Sequence, residues 1–154
     1  MTSIVAIDLG TCTGWAHLIG VKDRGIAIHS GTWDCSIRRS VDSPALRFTK
    51  FERQLSDLLA LSPDKLLYEI VYAHSGTEAG HMYGAFQAKL FEVCDRFGVP
   101  CEGVGVQAIK KFATGKGNAN KDAVLAAVRL WGHEPQDHNE ADAIALARLG
   151  WEHM

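Results

Sequence analysis

Short runs dominated by apolar residues predict three buried strands. Residues 4–7, 65–72 and 101–106 are such runs, and a compact apolar run is typical of a strand that is covered on both faces of a sheet. Two of the predicted strands bring a carboxylate with them, Asp8 directly after the first run and Glu69 within the second. An ionised carboxylate beside a core is costly unless a cation or hydrogen bonds compensate it.

Two further runs, 14–21 and 25–35, are rich in β-forming residues. The charged turn at 22–24 separates these two runs, and Gly10 and Gly14 bracket a tight turn after the first strand. Strand runs joined by such short polar connections are typical of hairpins. The N-terminal part of the chain is therefore predicted to form a three-stranded antiparallel meander.

Apolar residues at helical spacing predict the helices. Ser43 is an N-cap candidate with Pro44 at the first helical position, and the helix that they begin extends to about residue 60. A long helix is predicted from 76 to 97, with Gly98 as its stop. Its apolar stripe comprises Met82, Phe86, Leu90, Val93 and Phe97. Two or three more helices are predicted, near 107–113, 120–131 and from 138 to the end.

The order of these elements predicts an α/β fold, in which a mixed five-stranded sheet is flanked by helices. With 154 residues, the chain is predicted to form a single domain, 1–154. Apolar residues make up 47% and charged residues 22%, ordinary globular values that exclude a disordered or fibrous chain. The formal net charge of -2 gives no overall attraction to nucleic acid, so any such attraction must be local.

Cysteine usage and hydropathy indicate the compartment. None of the four cysteines forms a CxxC pair, which argues against a zinc knuckle and a disulfide scaffold. No apolar run approaches the ~20 residues that a membrane span needs. We expect a soluble intracellular protein with reduced thiols and no membrane partner.

Three carboxylates are candidates for one site. If the strands of Asp8 and Glu69 are parallel neighbours, their acids converge at the carboxyl ends of those strands, where open α/β sheets bind ligands. Asp142 lies within the apolar stripe of the last helix. Three acids without a matching buried Lys or Arg indicate a divalent cation. The alternatives are that Asp8 only forms a turn with backbone N–H groups, and that one or more acids face solvent.

A basic segment provides candidate phosphate contacts. Residues 103–121 contain no acid and four lysines, Lys110, Lys111, Lys116 and Lys121. Glycine and asparagine residues between them allow backbone amides to approach phosphates. Such a patch can bind DNA despite the net negative charge, because counterion release depends on local contacts. The alternative is a solvated flexible loop.

The ordered set of motifs resembles a known family. The segment DLGTCTGWA (8–16), the strand acid Glu69 and the helical NEADAIALA (139–147) are similar to motifs of the RuvC-type Holliday junction resolvases of the ribonuclease H-like fold. Compact versions carried by bacteriophages are the most similar. The basic segment 107–124 also corresponds to one in the family. The resemblance covers nearly the whole chain in the same order.

The resemblance implies an activity and a set of residues. Asp8, Glu69 and Asp142 take the positions of the family's metal-binding acids, and Lys110 or Lys111 together with Lys121 take those of its DNA-contacting lysines. Tyr72 takes the position of an aromatic residue that stacks on bases at the branch point, with ordinary strand packing as the alternative. We expect two Mg²⁺ or Mn²⁺ ions per active site and hydrolysis that leaves 5′-phosphate and 3′-hydroxyl ends.

Branched DNA is the expected partner, and the two strands to be cut in a four-way junction suggest a twofold homodimer. The helix 76–97 is the candidate interface. Two alternatives remain. One is a related ribonuclease H-like nuclease that acts on RNA or flap substrates. The other is an actin-like ATP-binding module, because DLGT also resembles a phosphate loop, although that class needs a second lobe.

The fourth position of the site departs from the family pattern. The family places an acid or a histidine three residues before the last aspartate, and this chain has Asn139 there. At 100° per residue, Asn139 and His138 lie about 60° and 40° from the direction of Asp142, whereas Asp137 lies about 140° away. The D-x-x-E pattern from Asp137 to Glu140 fits a capping box. We favour His138 as the fourth active-site group, acting directly or through water, and leave Asn139 and Asp137 as alternatives.

Overall fold

The computed structural model describes residues 1–153 of the chain. Within them, five strands and five helices form. They are β1 (Thr2–Asp8), β2 (Cys12–Val21), β3 (Gly25–Asp34), α1 (Leu46–Leu59), β4 (Lys65–Ile70), α2 (Thr77–Phe97), β5 (Cys101–Gly105), α3 (Val106–Thr114), α4 (Lys121–Leu130) and α5 (His138–Glu152).

One mixed sheet organises the molecule, with strand order β3-β2-β1-β4-β5. The first three strands pair antiparallel, as the meander prediction requires, whereas β4 is parallel to both β1 and β5. The predicted α/β fold is therefore confirmed. Strand β1 lies at the centre, which explains why residues 4–7 have no exposed surface.

Helices cover both faces of this sheet. On one face, α1 and α2 contribute Phe51, Phe86 and Leu90 to a core cluster that also contains Val5 and Ile7 of β1. On the other face, α3, α4 and α5 pack against the remaining side chains of β1, including Ile4 and Ala6. Successive residues of a strand point to opposite faces. The continuous apolar run of β1 thus supplies two cores at once.

Two predicted boundaries are wrong. Helix α1 begins at Leu46, with no side-chain cap, because the Ser43 hydroxyl accepts a hydrogen bond from the Ala45 N–H (3.2 Å) in a turn that precedes the helix. Strand β2 begins at Cys12, two residues before the predicted run 14–21, so Gly14 lies within the strand. In contrast, the stop at Gly98 is confirmed, since this residue has a φ of 67° and closes α2.

Two predictions of burial are also wrong. Strand β5 is only half-buried, and Glu102 within it is exposed, because β5 lies at the edge of the sheet. Phe97, at the end of the apolar stripe of α2, is 39% exposed. The four cysteines are free thiols. Across the described residues, no helix combines the length and apolar character that membrane crossing requires.

Candidate active site

Three carboxylates meet at one edge of the sheet. Oxygen atoms of Asp8, Glu69 and Asp142 all lie within 4.8 Å of one another. Strand register brings Asp8 and Glu69 together, because each directly follows one residue of the pair formed by Ile7 of β1 and Tyr68 of β4. The strands are parallel, so both acids stand at the carboxyl ends of central strands. The third acid comes from the first half of α5.

Close approach of α5 to β2 brings Asp142 to this edge. Gly14 makes that approach possible, because a Cβ atom at this position would overlap the backbone carbonyl of Asn139 in the first turn of α5. The helix also buries a run of mostly small residues against the sheet, Ala141, Ala143, Ile144, Ala145, Leu146 and Ala147. Helix and sheet thus approach closely enough for a short aspartate side chain to reach the strand acids.

Hydrogen bonds attach the first turn of α5 to the edge strand β3. Asp137 caps the helix by accepting from the Glu140 N–H (2.8 Å), and it also accepts from the Thr32 hydroxyl (2.8 Å). The carboxylate of Glu140, which is 6% exposed, accepts from the Ser30 hydroxyl and from the Gln136 N–H, both at 2.8 Å. Asp137 is therefore the predicted N-cap. Glu140 reaches the backbone one residue before the cap instead of the cap itself.

Tyr83 of α2 holds the end of β4. Its hydroxyl donates to the backbone carbonyl of Glu69 (2.8 Å) and lies 3.4 Å from the Val71 N–H, which donates to it. Sequence reasoning missed Tyr83, as well as Ser30 and Thr32. The only local signal for Tyr83 is its position beside Met82 in the apolar stripe of α2.

Burial and mutual repulsion make the three acids hard to ionise. Burial raises the pKa of Asp8 well above its ordinary value, and the negative charges of Glu69 and Asp142 raise it further. Burial also raises the pKa of Glu69 to about 7 and that of Asp142 to about 6. The positive charges of Lys110 and Lys121 lower the pKa of both Glu69 and Asp142 and so oppose this effect only in part.

The chemistry of this donor set fits a divalent cation. Three carboxylates from separate elements offer hard oxygen ligands, as Mg²⁺ and Mn²⁺ prefer. Their raised pKa values show that the protein alone does not compensate three negative charges here. A cation would provide that compensation.

This electrostatic strain predicts how stability depends on pH. Without divalent ions, the protein should lose stability as the pH rises from about 4.5 to about 7. In that range the folded state holds protons on Glu69 and Asp142 that the unfolded state has released, because folding raises both pKa values. Added Mg²⁺ should therefore raise the Tm more above about pH 7 than below about pH 5.

Calorimetry in EDTA and in Mg²⁺ checks this prediction, with Glu69→Gln as the matched variant. The variant lacks one repelling charge, so in EDTA above about pH 7 it should melt at a higher temperature than the parent protein. Equal melting temperatures at high pH would contradict the assignment of strain to these acids.

His138 lies beside the cluster but outside it. It is the first residue of α5, and its Nε2 is 2.9 Å from the Asp122 carboxylate of α4. It is close enough for its positive charge to lower the pKa of Asp142. Asn139 contributes its backbone to the contact with Gly14. Asp122 is a further residue that sequence reasoning missed, although its place in the first turn of α4 was readable.

The four lysines divide into two pairs. Lys110 of α3 and Lys121, the first residue of α4, are close enough to the acids to change their pKa values. Lys111 and Lys116 are exposed, and Lys116 follows the left-handed Gly115 that ends α3.

Tyr72, beyond the end of β4, is 80% exposed and lines a cavity of about 510 Å³ with Gly105 and Val106. The ring is thus available to a ligand.

Comparisons with known proteins identify relatives over almost the whole length. No family model matches the chain. Two proteins called crossover junction endodeoxyribonuclease RuvC, from two strains of Nitratidesulfovibrio vulgaris, are 28% and 30% identical to it over 153 residues. The matches cover 96% of this chain and 90% of each relative.

Solved structures agree on the fold. The structure of RuvC from T. thermophilus in complex with a Holliday junction substrate matches with a TM-score of 0.83 at 20% identity, and the match covers 96% of this chain and 91% of that one. At this identity the likeness establishes the fold, and the 30% identity along the sequence establishes descent. The chain therefore belongs to the RuvC family of crossover junction endodeoxyribonucleases.

Proposed function

We propose that this protein is a divalent-metal-dependent endonuclease that resolves four-way or branched DNA junctions by phosphodiester hydrolysis. The observation that carries the proposal is the convergence of Asp8, Glu69 and Asp142 within 4.8 Å at the carboxyl ends of the central strands. The relatives named crossover junction endodeoxyribonuclease cover 96% of the chain and support the same activity.

Asp8, Glu69 and Asp142 are proposed to hold two Mg²⁺ or Mn²⁺ ions. Such ions, when bound, supply activation of a water molecule and stabilisation of the leaving 3′ oxygen. The protein contributes a rigid frame, because each acid is attached to a separate buried element. Tyr83 holds the strand end of Glu69, and the close contact at Gly14 sets the position of the helix that carries Asp142.

The DNA-binding residues are proposed from their charge and exposure. Lys110 and Lys121 lie near the acids and are proposed to bind the phosphates next to the cleaved one. The exposed Lys111 and Lys116 are proposed to bind phosphates farther along the strand. Tyr72 has the exposed ring that stacking on an unpaired base requires. No direct readout of base sequence is needed for this mode of binding.

A twofold homodimer through α2 is the proposed assembly. This helix exposes large apolar side chains, with Phe91 44% and Phe97 39% exposed. Two sites related by a twofold axis match the two strands that must be cut in a four-way junction. Light scattering should give twice the mass of the chain, and the mass of a single chain at assay concentration would exclude this assembly.

Cleavage of synthetic substrates tests the proposed activity. A four-way junction, a linear duplex, a flap and an RNA–DNA hybrid of matched sequence should be incubated with Mg²⁺ and, separately, with Mn²⁺. We expect paired nicks at the branch point of the junction and intact linear duplex. Cleavage of the flap or of the RNA strand in preference to the junction would support a related nuclease instead.

The fourth position of the site yields a separate prediction. If His138 serves the reaction, His138→Ala should slow cleavage by about 10² or more, the usual size of an acid–base contribution. Asp137→Ala should instead lower the free energy of unfolding by about 1 kcal/mol, because it removes an N-cap, and should leave the cleavage rate per folded molecule unchanged.

Cleavage rates and urea titrations of the two variants separate these roles, with Asn139→Ala as the neighbouring control. A fully stable but inactive Asp137→Ala protein beside an active His138→Ala protein would make Asp137 the fourth ligand.

A further inference from the structure

A second polar cavity lies on the face covered by α1 and α2. It has a volume of about 610 Å³, and its lining includes Thr11, Arg39, Arg47 and Met82. Thr11 follows Asp8 by three residues, and Met82 precedes the tyrosine whose hydroxyl binds the Glu69 carbonyl. The cavity therefore borders the segment after Asp8 and the helix whose Tyr83 binds the Glu69 carbonyl.

Arg47 brings an uncompensated positive charge to this cavity. Its Nε atom is buried and has no hydrogen-bond partner among residues 1–153. Its Nη1 donates to the Met82 sulfur (2.9 Å), and a thioether is a weak acceptor. An arginine has five N–H donors in a fork that matches a carboxylate or a phosphate. The unpartnered Nε and the weakly bonded Nη1 of Arg47 thus indicate an anionic ligand from outside the chain.

Neighbouring groups extend the same chemistry. Arg39 also lines the cavity, and its contact with Glu78 is long (3.4 Å) between side chains that are 82% and 80% exposed, so that pair restrains the guanidinium weakly. Ser75 and Thr77 place hydroxyl groups in the lining. These are donors suited to phosphate oxygens, and they line the same cavity as Arg47.

The cavity and the lysines lie on opposite faces of the sheet. Met82 packs against the core cluster of the face covered by α1 and α2. Ile109, next to Lys110, belongs to the core cluster of the other face. Strand alternation puts Asp8 and Glu69 on the face of Ala6 and Leu67, at the carboxyl ends of their strands. A nucleic acid strand with one phosphate at the acids continues in both directions, and each direction needs a cationic partner.

We propose that the Arg39–Arg47 cavity binds a backbone phosphate of the DNA strand that crosses the acids, on the side opposite Lys110 and Lys121. This inference rests on the proposed action on DNA and extends it by a second phosphate site. Arg47 is the central ligand. Glu78 weakens the site, because its negative charge repels the same phosphate.

Salt titration of junction binding tests the site. Binding should be measured in EDTA, where the strands stay intact, for the parent protein, Arg47→Gln and the control Arg53→Gln. Arg53 is an exposed arginine of the same helix and does not line this cavity. Loss of one phosphate contact should make the log–log slope of affinity against salt shallower by about 0.9 in Arg47→Gln, and the control should keep the parent slope.

Glu78→Gln provides a variant with the opposite expected sign. Its side chain is 80% exposed, so the fold should tolerate the change, and junction affinity should increase at low salt. A folded Arg47→Gln protein with the parent slope would overturn the inference. If Arg47→Gln fails to fold, unchanged affinity in Glu78→Gln would overturn it. A parent protein that neither binds nor cuts any junction would instead refute the proposed function. An active parent protein, together with an Arg47→Gln variant that keeps the parent slope of affinity against salt, would refute this phosphate site alone.

Discussion

Junction cleavage is expected to disappear in each of the variants Asp8→Asn, Glu69→Gln and Asp142→Asn, whereas junction binding should persist or become tighter. Each change preserves the shape of the side chain and removes one negative charge from a cluster whose oxygens lie within 4.8 Å of one another. Fewer ligand charges weaken the hold on divalent ions. The same loss reduces the repulsion between the protein and DNA phosphates, which is why binding should not suffer.

Single-turnover cleavage and a binding titration with the same labelled junction measure both effects. Glu102→Gln is the matched control, because Glu102 is an exposed acid on the neighbouring strand β5. That variant should cut at the parent rate. Nicking at the parent rate by any of the three test variants would remove that residue from the site.

The second large effect is expected when a single methyl group is added at Gly14. In Gly14→Ala, the new Cβ would overlap the backbone carbonyl of Asn139, and neither partner is a flexible side chain. The first turn of α5 must therefore move, and Asp142 moves with it. We expect a loss of about 1–3 kcal/mol in the free energy of unfolding. We also expect a fall of about 10² in the cleavage rate, because a displacement of about 1 Å at a reacting centre has that scale.

Gly10→Ala is the matched control. Gly10 lies in the same N-terminal segment, but a Cβ there would lie 3.8 Å from the nearest atom, the Cys12 carbonyl oxygen, which is ordinary contact. Melting temperature and cleavage rate should stay near the parent values in this control. Parent-like activity in Gly14→Ala would show that contact between β2 and α5 does not set the position of Asp142.

Local pattern was sufficient for most of the framework. A run such as residues 4–7 is apolar on both faces, so it can only be a central strand, and the structure confirms this. Gly98 and Asp137 were readable as helix boundaries because capping depends on the residue itself and on neighbours within one turn. Glu69 stood out for a similar reason, as a charged residue in an apolar strand.

Local pattern failed at one helix start and at two places where contacts between residues distant in sequence determine the structure. Ser43 and Pro44 have the form of a helix start, yet the turn that they make ends before the helix begins at Leu46. Strand β5 has a nearly apolar sequence, but no strand covers its outer edge. Gly14 reads as a turn glycine, and its actual role depends on the backbone of Asn139, which is far along the chain.

The sequence by itself determined the order of strands and helices, the acids that the central strands carry and the lysines of the basic segment, because these follow from periodicity and residue type over short distances. Only the tertiary structure decided that the three acids meet and that Thr32 and Ser30 hold the start of α5 from more than 100 residues away. It also placed Arg47 at a cavity, with no hydrogen-bond partner for its Nε among residues 1–153. The physical reason is that hydrogen bonds and charge pairs form between atoms that folding brings together, and residues distant in sequence leave no local signal of such contacts.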